Sequence, residues 1–161
     1  MAYPFPDNVT EMSTADKAGW FRTNWHQHDY IRGYWDSLLW LGLDCQLPDD
    51  ESEPESEPVD FRGEVKPSDL EDSILAEIVD DLSGFVARLE EEGLYLVACY
   101  SEELGHDFNL TRNGHGAGFW DGDWDHLDQL SPGWSRKVSA ISKEFGSASL
   151  ERFGAEFSIM N

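Results

Sequence analysis

The residues best able to do chemistry in this sequence are the histidines and the carboxylates beside them. His106 precedes Asp107, His115 follows nine residues later, and Asp121 and His126 come within reach if the intervening chain folds back. On paper this is a His/Asp metal centre or a general acid/base pair. The spacing HDxxxxxxxHG matches no ligand pattern with a mechanical reason behind it, and no Ser or Cys sits in a nucleophile elbow. The run DGDWDHLD, Asp121 to Asp128, alternates aspartates as a calcium loop does. His126 stands where such a loop needs Gly, however, and Pro132 where it needs a bidentate Glu. GHGAG lacks the helix that a phosphate-binding loop must lead into, and its acidic neighbours repel phosphate. The expectation is therefore no catalytic residue, no metal and no cofactor, with these polar groups holding turns and loop ends together. His26 and His28, around Gln27, are read as capping or lining the next helix.

The stronger signal is charge. Among 161 residues, 33 Asp and Glu face 11 Lys and Arg, for a net charge of -22. With 40% hydrophobic residues and 7 Trp there is material for a core, so the acidity belongs to a folded surface rather than to a disordered chain. Such a surface repels nucleic acid and anionic membranes and favours basic partners. A chain of this size exposes about 8,000 Å², so an even spread gives roughly one carboxylate per 250 Å², against about one charge per 100 Å² on duplex DNA. To imitate DNA the acids must cluster, and they do: six lie between Asp49 and Glu57, nine between Asp69 and Glu92, five between Asp107 and Asp128. The candidate partner-binding residues are Asp49, Asp50, Glu51 and Glu53 in the first cluster, Asp69, Asp72, Glu77, Asp80 and Asp81 in the second, and Asp121, Asp123 and Asp125 in the third. Trp120 and Trp124 lie beside the last, as added contacts or as core.

The elements that carry these clusters follow from periodicity. Met1–Val9, with two prolines, reads as an extended arm. Met12–Trp25 and His28–Leu43 have helical spacing, the latter through Ile31, Trp35, Leu38, Leu39 and Leu43, with closure at Gly42. Residues 47–58, LPDDESEPESEP, read as an acidic, Pro-rich solvated loop. Ser68 and Glu71 form a capping box for a long helix whose stripe runs through Leu70, Ile74, Ile78, Leu82, Phe85 and Leu89 and ends near Gly93. Arg88 is the only basic residue on that helix, and Glu90, Glu91 and Glu92 oppose its dipole. Leu94–Tyr100 is a short apolar segment, strand or helix end. Phe108, Leu110 and Arg112 alternate toward Asn113-Gly114, and the chain returns through Phe119 and Trp120, which predicts a β-hairpin. Ser131–Phe145 reads as a helix, and Phe157 and Ile159 as a short C-terminal strand. Cys45 and Cys99 read as buried thiols of a reducing compartment. The expectation is one compact α+β domain over residues 1–161, with three or more helices, a β-hairpin and a C-terminal strand. The start shows no secretion signal and no apolar run is long enough for a membrane span, so the cytoplasm is the expected location.

GHDFNLTRNGHGAGFWD, Gly105 to Asp121, resembles a motif of small acidic proteins encoded by bacteriophages and mobile elements, in many of which an aromatic residue stands at the position of Asn109. The likeness extends weakly back through YIRGYWDSLLW and DLEDSILAEIVDDLSGF and fades after Trp124. It implies a phage origin and an accessory role, acting in an infected bacterial host, and supplies no catalytic residue. Joined to the acidity, it leads to the expectation of an anti-CRISPR or anti-restriction inhibitor that mimics nucleic acid and blocks a basic DNA-binding site. The alternatives are an acidic binding module for another basic host protein, or a divalent-metal-dependent enzyme.

Overall fold

A computed structural model describes residues 3–46, 55–94, 100–115 and 117–161. Among them, six helices and a four-stranded mixed sheet form one α+β unit. The helices are α1 (Thr14–Asn24), α2 (Asp29–Trp40), α3 (Asp72–Glu91), α4 (Glu102–Arg112), α5 (Asp125–Leu130) and α6 (Trp134–Glu144). The strands β1 (Gly42–Gln46), β2 (Glu55–Val59), β3 (Ser149–Phe153) and β4 (Glu156–Met160) are ordered β2-β1-β3-β4. β1–β2 and β3–β4 are antiparallel, and β1 and β3 are parallel, pairing Leu43 with Glu151. No helix among the described residues is long and apolar enough to cross a membrane.

The α3 stripe is as the periodicity requires: Leu70, Ile74, Ile78, Leu82, Phe85 and Leu89 are all buried. Its start differs. Pro67–Asp69 forms a short 3-10 turn in which the Asp69 carboxylate accepts from Lys66 N–H (2.8 Å), and the helix begins only at Asp72 behind Glu71. Ser68 and Glu71 therefore form no capping box: Glu71 is itself the N-cap residue and makes no side-chain cap bond. Its end is a glycine turn at Gly93 (φ +70°), where Leu94 N–H reaches Leu89 C=O at 2.8 Å. The expected arm is packed down, with Phe5 and Val9 buried and Phe5 against Trp20. α2 stops at Trp40, and Gly42 opens β1, because any side chain there would enter the Phe61 ring.

Two further expectations need correction. First, residues 108–112 are not a hairpin strand but the second half of α4; the two hairpins are β1–β2 and β3–β4. Ser101 caps α4 by accepting from Leu104 N–H (3.2 Å), and Asn113-Gly114 ends it, with Gly114 at φ +68° and His115 N–H on Leu110 C=O (3.0 Å). Asn-Gly serves a helix C-terminus as well as a tight turn. The helical period was hidden because α4 is buried nearly all round: Leu104, Gly105 and every residue from Asp107 to Arg112 are buried. Second, the acidic stretch is not a loop throughout, since Glu55–Val59 is strand β2. Pro58 is tolerated there because β2 is an edge strand. Asp49, Asp50, Glu51, Glu53 and Cys99 lie outside the described residues, as does most of the Leu94–Tyr100 segment; Cys45 is buried with Sγ 3.3 Å from Ser56 Oγ.

α4 is the centre of the molecule. It lies against α2 through glycines on both helices: a Cβ on Gly33 would stand 1.9 Å from Glu102 O, and one on Gly105 2.0 Å from Tyr30 O. On another side Phe108 stacks on Phe85 of α3, with centroids 4.0 Å apart. Asn109 is fully buried, and its Nδ2 has no acceptor.

Two outcomes in urea denaturation follow. Gly33→Ala or Gly105→Ala forces the helix backbones apart and should cost about 3 kcal/mol. Asn109→Leu, nearly isosteric, removes an orphaned donor, while Asn113 Nδ2, which donates to Asn109 Oδ1, keeps its bond to the Asn109 carbonyl, so stability should rise by about 1 kcal/mol; a loss of that size would mean the Oδ1 bond outweighs the orphaned donor.

Candidate functional site

Where the carboxylates lie decides which of them are available. On α3, Asp72 pairs with Arg22 and Asp80 with Lys17 of α1, both at 2.7 Å. Asp81 pairs with Arg112 of α4 at 2.8 Å and is largely buried. Asp69 is spent on its turn, and Glu77 is half-buried, its carboxyl pushed above the ordinary range by burial and then by the charge of Asp81. Arg88 is thus not the sole counter-charge; it is occupied by Glu91, Glu92 and Glu144 at the far end. The basic partners of the helix come from 31 to 63 residues away in sequence, which local charge counting does not reveal.

The third cluster is placed differently. Asp121, Asp123 and Asp125 are exposed, and Asp121 and Asp123 border a groove of about 560 Å³ between the first turns of α4 and the 117–126 segment. Glu102, Glu103 and Asp107 line it from the α4 side, with His106, Trp124 and His126. Among the described residues, neither lysine nor arginine lines it. Glu102 and Glu103 belong here because Ser101 starts the helix, and acids in a first turn favour the helix dipole. The sequence reading missed both, together with the role of Asp107, by placing the segment in a hairpin. Ser101, two acids and a following apolar residue are the signal that identifies the helix start.

Asp107 organises the floor. It is 7% exposed; one carboxylate oxygen accepts from the Trp124 indole N–H at 2.6 Å and the other lies 3.1 Å from His106 Nδ1. The hydrogen bond to Asp107 raises the His106 pKa above 6.5, assisted by the charges of Asp107, Asp36 and Glu102 and opposed by desolvation. The imidazole stacks on the half-exposed Trp40 indole, and His115 lies 5.9 Å from the same ring. Asp121 also shapes the rim, its two oxygens accepting from Gly118 and Asp123 N–H. Asp128 accepts from Ser135 N–H and Oγ–H at the start of α6.

A histidine oriented by a buried carboxylate has the form of a general base. Ser101, the one hydroxyl among the described residues of the groove, is turned to its cap. Among the described residues no three of His, Cys, Asp and Glu are gathered so as to hold a metal ion. What the groove offers is a concave, negatively charged wall with an indole in it, suited to an ammonium or guanidinium group. A second groove, about 640 Å³, carries Arg22, Arg32 and Arg62 around Trp25 and Trp35. Those guanidinium groups are bound to Asp72, Asp29, and Asp60 with Asp36, respectively.

His106 links the groove to pH. A folded-state pKa above the unfolded value means the stabilisation is present in full below about pH 6.5 and is lost as pH rises through the folded value. In thermal melts, His106→Gln should lower Tm more at about pH 5.5 than at about pH 8. The group is half-exposed, so the difference should be small; equal losses at both would show that the pair to Asp107 carries no net charge interaction.

No protein-family model, curated protein or solved structure matches the chain, so a function has to be built from the chemistry of these side chains.

Proposed function

We propose that the protein is a non-enzymatic inhibitor that works in the cytoplasm of an infected bacterium by setting carboxylates against a basic nucleic-acid-binding surface of a host defence nucleoprotein, a CRISPR complex foremost. The observation that carries this reading is the groove of Glu102, Glu103, Asp107, Asp121 and Asp123, lined among the described residues by neither lysine nor arginine. Arginine and lysine side chains that bind phosphates in the target find carboxylates here instead, and capturing them competes with nucleic acid for the same contacts. The α3 acids are the poorer surface, because Asp72, Asp80 and Asp81 are already paired within the fold.

A second reading is favoured by one feature. The groove is concave and walled by Trp124, whereas the phosphates of a duplex stand on a convex rod. That shape suits the capture of single basic side chains, as in a binding module for a basic protein whose nucleic-acid site is not involved.

The test is phage plaque formation on a host with active CRISPR interference, compared for three forms of the protein. Changing Glu102→Gln, Glu103→Gln, Asp121→Asn and Asp123→Asn together should cut the protection of phage at least about tenfold, since several charge contacts are lost at once. Asp72→Asn with Asp80→Asn on α3 should leave it close to wild type. Full protection by the groove variant would sink the proposal. If the groove variant fails to bind its partner but added nucleic acid does not compete with the wild type, the second reading replaces the first.

A further inference from the structure

One face of the molecule reverses the general charge. In the 22 residues from Gln129 to Leu150 the only acid is Glu144, and it is held by Arg88. The same stretch carries Arg136, Lys137 and Lys143, for which the described residues provide no carboxylate partner. Arg136 and Lys143 line a shallow groove of about 680 Å³ along α6, walled by Trp120, which is 44% exposed. Lys143 Nζ lies 5.6 Å from the centroid of that indole. The one acid among the described residues of the groove, Asp128, has both oxygens taken by Ser135.

Ser139 adds an independent sign. It is 9% exposed, lines the groove, and its Oγ has no hydrogen-bond partner. One turn on, Ser142 shows the ordinary solution for a buried helical serine, its Oγ–H donating to Val138 C=O at 2.8 Å. A buried hydroxyl left unpaired beside two cations that have no carboxylate partner among the described residues is a donor without its acceptor.

We propose that this groove binds a mononucleotide-sized ligand, its phosphate received by Arg136, Lys143 and Ser139 and its aromatic base set against Trp120. A tetrahedral anion can accept from a guanidinium, an ammonium and a hydroxyl at once, and a π-face tolerates any base. Size is limited by the field around the groove. α6 is only about 16 Å long, and beyond a Debye length of about 8 Å the acidic remainder of the surface repels further phosphates. The groove shares no lining residue with the acidic one, so this inference stands or falls separately from the proposed function.

The test is NMR titration of the full chain with AMP at low salt, following backbone amides and indole N–H signals, with adenosine, inorganic phosphate and a short oligothymidylate as comparison probes. AMP should give saturable shifts at residues 135–143 and at the Trp120 indole; phosphate should move the α6 amides alone, and adenosine neither. Arg136→Glu with Lys143→Glu, both exposed positions, should weaken AMP at least about tenfold. Ser139→Ala should weaken it less without loss of stability. No saturable shift at millimolar AMP, the same shifts with adenosine, an unchanged response in the double variant, or tighter binding of the oligonucleotide than of AMP would each overturn the assignment.

Discussion

The buried guanidinium of Arg112 is the constraint on which the structure turns. In a chain with three carboxylates for every basic residue, this one cation is placed in the core, where it must be satisfied on every side or be ruinous. It donates to Asp81 of α3 (2.8 Å), to the Tyr34 hydroxyl of α2 (2.9 Å), and to the carbonyls of Phe145 and Gly146 beyond α6 (3.0 and 2.8 Å), and it lies over the Phe108 ring. Three helices and the exit of a fourth thus meet at one side chain. Burial, opposed by Arg112 and assisted by the charges of Asp81 and Glu77, raises the Tyr34 hydroxyl to about 12, so it stays protonated and able to accept from Arg112 while carrying its own proton. The residues on either side extend the knot. Thr111 Oγ accepts from Phe119 N–H and fixes the segment that forms one wall of the acidic groove, and Asn113 Oδ1 accepts from Ala148 N–H ahead of β3.

This gives the motif from Gly105 to Asp121 a physical content. Gly105 is there for the contact with α2, Asp107 for the Trp124 indole, Thr111, Arg112 and Asn113 for the knot, and Gly118 (φ +147°) because a Cβ would strike Thr111 Oγ. Most of it is structural, and the groove is what that structure exposes at its rim. The net charge of -22 changes meaning as well. Part of it is matched internally, α3 acids to α1 and α4; what bears on the proposed recognition is the remainder that no basic group among the described residues answers.

Much of the fold was legible in the sequence because α2, α3 and α6 each bury one face and so keep their period: Ile31, Trp35 and Leu38, or Trp134, Val138 and Ile141. α4 was not, because burial on all sides erases the alternation from which a helix is inferred, and Asn113-Gly114 signals two kinds of turn. β1, β2 and β3 are five residues each and have too few positions to show a pattern against acidic and proline-rich text. Of the candidate site, Asp121, Asp123 and Asp125 were visible as a run of exposed acids. Glu102, Glu103 and Asp107 were not, since only the helix brings them opposite that run. The α3 acids looked free because Lys17, Arg22 and Arg112 are remote in sequence and near in space.

The central claim is that the acids left unanswered at the groove, and not those along α3, receive a basic partner. NMR shift mapping with an oligoarginine peptide measures this directly. The account predicts salt-sensitive shifts concentrated at residues 102–107 and 121–126. Shifts running along the exposed side of α3, with the groove signals unmoved, would contradict it.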